Sequence, residues 1–276
     1  MNMSKPVLQI HELTKKFGSH CAVSSLSLSI DEGEVVGLLG PNGSGKTTTL
    51  HMIVGLLEPT SGSISIDGLS PRAVATRRSL GLVPDDLPLP SALTGDEFLD
   101  LHEQLRGFAD PVVRDSLVEM FALGRHLHRP VGEFSHGMKR KIQIVAAVSH
   151  RPRLLILDEP HRGLDPESAV IVRELVDILR LRGTALLVAT HDLARAERDL
   201  DRLAILFEGQ RLAFGTPADV MELAAVSDLE SAFLRLTGLD ASIVEARHRL
   251  TEMLGHPAGT PEPTTVIGEI QCDTPV

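Results

Sequence analysis

Val35-Val36-Gly37-Leu38-Leu39-Gly40-Pro41-Asn42-Gly43-Ser44-Gly45-Lys46-Thr47-Thr48-Thr49-Leu50 is the stretch that decides the fold. Val35 to Leu39 are apolar or small and read as a fully buried strand. The glycines and Pro41 interrupt that run, and from Lys46 the spacing of Leu50, Ile53 and Val54 predicts a helix over 46–55 with Gly55 as its stop. Between strand and helix, residues 40–47 match G-x-x-x-x-G-K-[ST] in full, in the context that pattern needs. Gly40, Gly43 and Gly45 let backbone N–H groups converge on phosphate oxygens, with the positive end of the helix dipole behind them. Lys46 is expected to neutralise β- and γ-phosphate charge and Thr47 to ligate Mg²⁺. Pro41, Asn42, Ser44 and Thr48 complete the expected contact set for ATP.

Outward from this loop, composition narrows the class. A chain of 276 residues with 42% hydrophobic content buries a sizeable core. Lys and Arg number 27 against 37 Asp and Glu, a formal net charge of −10, which argues against nucleic acid as a partner. Cys21 and Cys272 stand at opposite ends of the chain with no metal-ligand spacing, as in a reducing compartment. No run approaches the roughly 18 apolar residues of a spanning helix, so a cytoplasmic location is expected. Trp and Tyr are absent, which leaves Phe for any stacking on a base.

Further strands are expected at 25–30, 63–66 and Leu80–Val83, then at 154–157, 185–189 and 203–207. A helix at Pro166–Leu181, with Pro at its first turn and Asp165 as cap, makes the later part a βαβ arrangement. Residues 87–150 carry mostly helical periodicity and read as a helical subdomain inserted into an α/β core. The expected division is 1–238 for the α/β domain and 239–276 for a helix at 243–254 and a disordered tail rich in Pro, Thr and Gly.

Leu154-Leu155-Ile156-Leu157-Asp158-Glu159 is an apolar strand ending in two carboxylates, at the sheet edge where open parallel sheets bind ligands. Asp158 is expected to hold the Mg²⁺ shell and Glu159 to polarise the attacking water as general base.

These residues resemble the nucleotide-binding subunits of ATP-binding cassette (ABC) transporters over about residues 7–238. That resemblance implies a P-loop NTPase core of the ABC type with an antiparallel β edge. Phe134-Ser135-His136-Gly137-Met138 looks like a variant of the family's LSGGQ signature, which implies that Ser135 and Gly137 touch the γ-phosphate bound to an opposite subunit. Asp165 in Gly163-Leu164-Asp165 resembles the D-loop at the dimer interface. His191 in Thr190-His191-Asp192 looks like the switch histidine of the γ-phosphate, and Phe17 like the aromatic residue on adenine. The family's Q-loop glutamine is replaced: after Gly81-Leu82-Val83 the chain reads Pro84-Asp85-Asp86, so Asp85 is the candidate metal-shell residue at that place and Asp86 a second one.

The resemblance implies two cassettes, in a homodimer or heterodimer, closing around ATP and driving integral membrane permease subunits, with the chain peripheral on the inner face of the membrane. Short matches in the signature and at 228–238 are similar to bacterial multidrug, antibiotic and polysaccharide-type exporter ATPases. An ABC-type ATPase with a regulatory, translation-linked or repair-linked role is the alternative.

Overall fold

The computed structural model describes residues 6–85, 88–108 and 110–254. Asp86, Cys272 and the expected tail at 256–276 lie outside the described residues. Two compact units divide the chain, Met1–Thr237 and Gly238–Val276.

In the first unit, β3 (Val35–Leu39) is buried at all five positions and sits inside a six-stranded sheet. Its neighbours are β7 (Ala185–Thr190) and β8 (Arg202–Phe207), both parallel to it. On the β7 side follow β6 (Leu154–Asp158) and then β5 (Leu80–Val83), parallel again. Beyond β8, β9 (Gln210–Gly215) closes the order β5-β6-β7-β3-β8-β9 as an antiparallel edge. A second, antiparallel sheet has the order β2-β1-β4, from β1 (Leu8–Phe17), β2 (His20–Ile30) and β4 (Ser61–Ile66). One core cluster joins Leu8, Ile10, Leu26 and Ile30 of this sheet to Val36, Leu38 and Leu187 of the other and to Leu50 and Ile53 of α1 (Lys46–Ile53).

Leu38 is fully buried, and its truncation to alanine would cost about 2–5 kcal/mol. α2 (Val74–Ser79) leads into β5, and between β5 and β6 the described residues hold α3 (Gly95–Arg106), α4 (Pro111–Met120) and α5 (His136–Val148) but no strand. Their Phe98, Phe121 and Ile142 share a second cluster with Leu155 and Leu157 of β6 and with Leu175 of α6 (Pro166–Leu181). The third cluster packs α7 (Leu193–Asp199), α8 (Pro217–Ala224) and α9 (Leu229–Thr237) against β8 and β9. The second unit contains α10 (Asp240–Leu254).

Two departures from the expected strands have one cause. β1 was not anticipated and β2 begins five residues before the expected start, because left-handed residues break the alternation that marks a strand. Glu12 has φ 46° where the register with β2 and β4 slips, and Ser25 has φ 48°. β9 carries no strand pattern of its own, being an edge strand with little buried surface behind the Glu208-Gly209 turn.

Candidate functional site

Parallel strands all point the same way, so the loops that follow them share one edge. Register sets the order along that edge: Leu39 pairs with Thr190, Asp158 with Ala189 and Val83 with Leu157. The glycine loop after β3, the acidic pair at the end of β6, Thr190-His191 at the end of β7 and Asp85 after β5 are therefore neighbours, though 40 and 191 stand far apart in sequence.

The glycine loop is shaped for something it does not itself contain. α1 starts behind Gly45 (φ 103°) with no side-chain cap and no acidic residue in its first turn. A Cβ on Gly45 would meet the Ala22 carbonyl at 2.4 Å, and one on Gly40 would meet the Leu206 carbonyl at 2.3 Å. Only glycine keeps the backbone this close, which leaves the first-turn N–H groups facing outward. Ser44 Oγ is buried without a hydrogen-bond partner. Lys46 is buried, and its Nζ donates to the carbonyls of Gly40 at 2.6 Å and Pro41 at 3.1 Å. Burial lowers the Lys46 pKa, opposed by the carboxylates of Glu159 and Asp158.

Beside the loop lies a cleft of about 440 Å³, walled by Phe17, His20 and Ala22 on one side and by Asn42, Gly43, Gly45, Lys46, Thr47 and Thr48 on the other. Phe17 is 49% exposed with Lys15 Nζ 5.1 Å from its ring centre, so one face is open to a planar partner. A second cleft, of about 320 Å³, joins Gly40, Pro41 and Asn42 to His191, Leu193 and Phe233. Unmatched donors, an uncapped helix start and an apolar ring at the rim fit a phosphorylated nucleotide.

Asp158 is buried, and its carboxyl is pushed up to about 6 by burial first and then by Asp85 and Glu159, while Lys46 and Arg140 pull the other way. Glu159 has φ 47°, a strained conformation for a residue with a Cβ, and hydrogen bonds from its backbone and both carboxylate oxygens hold it there. Its N–H donates to the Ala189 carbonyl at 2.9 Å. Its Oε2 accepts from Thr190 Oγ1 at 3.1 Å, and its Oε1 accepts from the His191 backbone N–H at 3.0 Å and from His191 Nδ1 at 2.5 Å. Among the described residues no three His, Cys, Asp or Glu side chains gather as a metal site. A Mg²⁺ ion here would have Asp158 and the exposed Thr47 hydroxyl from the protein and would need nucleotide oxygens for the rest.

Ser135, Gly137 and Asp165 are brought together with one another, and they line neither cleft. Ser135 caps α5, its Oγ accepting from Met138 N–H at 3.2 Å. A Cβ on Gly137 would meet the Gly163 carbonyl at 2.9 Å, and the His136 ring lies directly on Gly163. Asp165 caps α6, accepting from Ser168 N–H and Oγ at 2.8 Å, and it pairs with Lys141 of α5 at 3.1 Å. The backbone and hydroxyl of Ser168, with Lys141, hold its carboxyl well below the usual carboxylate range. Asp85, expected in a metal shell, has Arg140 on Oδ1 and Arg162 on Oδ2. Sequence reasoning missed Thr190, Arg140 and Arg162. A buried arginine on the apolar face of α5 carries no local signal, and Thr190 entered the sequence reading only as the neighbour of His191, without a role of its own.

A family model described as ABC transporter matches residues 23–162. Nod factor export ATP-binding protein I of Burkholderia orbicola (strain AU 1054) is 37% identical over 254 residues, 85% of this chain and 84% of that protein. Linearmycin resistance ATP-binding protein LnrL of Bacillus subtilis (strain 168) is 34% identical over 78% of this chain and 70% of that one. A solved ATP-binding subunit of an ABC transporter superposes with a TM-score of 0.80 at 33% identity, over 84% of this chain and 99% of its own. The chain therefore belongs to the ATP-binding subunits of ABC transporters, with their mixed parallel and antiparallel fold and their ATPase activity.

Proposed function

We propose that two such subunits close around ATP, each nucleotide lying between the glycine loop of one and the Ser135 segment of the other, and that closure powers export through separate membrane-spanning subunits. The observation that carries this is the separation of Ser135, Gly137 and Asp165 from both clefts of their own chain. The N-terminus of α5 adds a positive dipole end that suits a phosphate arriving from outside. Export is supported by the names of the relatives, which act in Nod factor export and linearmycin resistance. No helix among the described residues is long and apolar enough to cross a membrane, in keeping with a chain docked on membrane partners from the cytoplasm.

In this scheme Lys46 leaves the Gly40 and Pro41 carbonyls for the β- and γ-phosphates, and the first-turn N–H groups of α1 and Ser44 Oγ gain acceptors. Phe17 stacks on the base. Thr47 and Asp158 would hold Mg²⁺, which would supply charge neutralisation for the phosphates. Glu159, aimed by Thr190 and His191, takes the proton of the attacking water, and the γ-phosphate held in common by the two chains is then lost, so the interface opens.

Purification of the tagged chain from detergent-solubilised membranes tests the transport reading. The expected result is co-purification of a membrane-spanning protein that raises the ATPase rate. Recovery solely with ribosomes or DNA would contradict it.

A further inference from the structure

Asp85 leaves the same sheet edge as the glycine loop, yet both its carboxylate oxygens are already engaged. Oδ1 accepts from Arg140 Nη2 at 3.2 Å, and Oδ2 pairs with Arg162 Nη1 at 2.5 Å. Arg140 belongs to α5, five residues beyond Ser135, and its guanidinium is 2% exposed. It also donates to the Pro84 carbonyl at 2.5 Å and to the Asp85 carbonyl at 3.2 Å. Arg162 lies in the segment from Glu159 to Asp165, and its backbone N–H donates to the Glu159 carbonyl at 3.0 Å. One side chain thus ties the end of β5 to the helix that opens at Ser135 and to the segment that carries the catalytic glutamate.

We infer that Asp85 is a positioning residue of the ATPase site, clamping α5 through Arg140 and the 159–165 segment through Arg162, and that it is not a magnesium ligand. This rests on the composite-site reading above. The charge balance favours it. A guanidinium as buried as Arg140 is strongly destabilising without a counter-charge, so a carboxylate that turned to a metal would leave it with two backbone carbonyls and the weaker influence of Asp158. Asp85, 23% exposed, supplies that charge, whereas a glutamine could accept a hydrogen bond but neutralise nothing. The two halves are unequal: Arg162 is 59% exposed, so its pairing is partly screened and the Arg140 half dominates.

Hydrogen exchange on the nucleotide-free protein reads the clamp without any metal or turnover. Asp85→Asn is expected to speed exchange about tenfold in peptides covering both 136–142 and 159–165. Arg162→Gln, at an exposed position where folding is not at stake, is expected to speed exchange only in 159–165. The double variant should match Asp85→Asn in that segment, because the two substitutions break one contact. In ATPase assays Asp85→Asn should lower kcat severalfold while the Mg²⁺ concentration for half-maximal rate stays within about twofold. Unchanged exchange in Arg162→Gln, additive effects in the double variant, or a Mg²⁺ requirement raised about tenfold or more would each overturn the assignment. If wild-type protein failed to form an ATP-dependent dimer, the composite site would fall, and exchange would still decide whether the clamp exists.

Discussion

The loops after β3 and β5 leave one edge of one sheet and are finished in opposite ways. After β3, Ser44 Oγ is buried unmatched, α1 starts uncapped and Lys46 folds back on two carbonyls of its own loop. After β5, each oxygen of Asp85 meets a guanidinium. A buried polar group without a partner costs about 1–3 kcal/mol, which a fold tolerates where a ligand restores the missing bond. On the proposed scheme the first loop is completed by nucleotide, and the second is completed by the chain itself. Substitutions in the first should show in ligand binding and turnover, and those in the second in the stability and motion of the empty protein.

The largest effect is expected at Glu159, which faces the first loop from β6. Glu159→Gln should lower kcat by about a thousandfold and leave binding of a fluorescent ATP analogue intact, measured by single-turnover hydrolysis and titration. A wild-type rate would remove the general base from the scheme. Lys46→Ala should weaken the analogue about a hundredfold or more, since charge-assisted hydrogen bonds to two phosphates are lost, while the melting temperature of the empty protein stays within a few degrees. Asp85→Asn should reverse that pattern, with affinity within about threefold and a loss of about 2 kcal/mol in denaturant titration. Equal damage to affinity by both substitutions would erase the contrast between the loops. Phe17→Ala should weaken nucleotide binding by about threefold to tenfold without a change in kcat, the scale of one stacking contact.

The smallest effect lies at the other end of β5, where Arg106 and His150 share one carbonyl while Arg106 Nε and His150 Nδ1 stay buried without a hydrogen-bond partner. Arg106 donates to the Leu80 carbonyl, and His150 Nε2 lies 3.2 Å from that carbonyl and 3.0 Å from Arg106 Nη1. Burial, then Arg106 and, more weakly, His102, lower the His150 pKa to about 4, against backbone carbonyls of Leu80 and Ala146 that raise it. With the folded value below the unfolded one of about 6.5, the unfolded chain takes up the proton first, so stability falls as pH drops from 6.5 towards 4 and is flat above that window. His150→Gln should flatten this dependence by about 1 kcal/mol between pH 7.5 and 5.5, read by denaturant titration at both pH values.

What could be read from the chain alone follows the same division. The glycine loop was legible because strand, turn and helix signals run consecutively through sixteen residues, the Asp158-Glu159 pair because it ends a short apolar run, and His191 only through the family resemblance of Thr190-His191-Asp192. β1 was not, since the left-handed Glu12 shifts its buried positions from Leu8 and Ile10 to Leu13 and breaks the period. Asp85 could be recognised as a departure, but not its reason. Its partners lie 55 and 77 residues further along the chain, on a buried helix face and in an exposed turn, and only the tertiary fold brings them together. The expected metal role was drawn from the family resemblance of its position and from residue type, neither of which can tell a free carboxylate from one already paired. Ser135 and Asp165 illustrate a third case, in which capping roles are visible in the sequence and the roles proposed for them depend on a second chain.

The central claim, that the glycine loop is half of a site, is tested most directly by mixing two defective chains in the Glu159→Gln background. Lys46→Ala lacks the phosphate loop's lysine, and Ser135→Arg blocks the exposed segment expected to reach across. Each alone is predicted to sediment as a monomer with ATP. An equimolar mixture pairs one intact loop with one intact Ser135 segment, so an ATP-dependent dimer is expected to reappear in sedimentation velocity. Monomers throughout the mixture at saturating ATP, or dimers formed by either chain alone, would contradict the account.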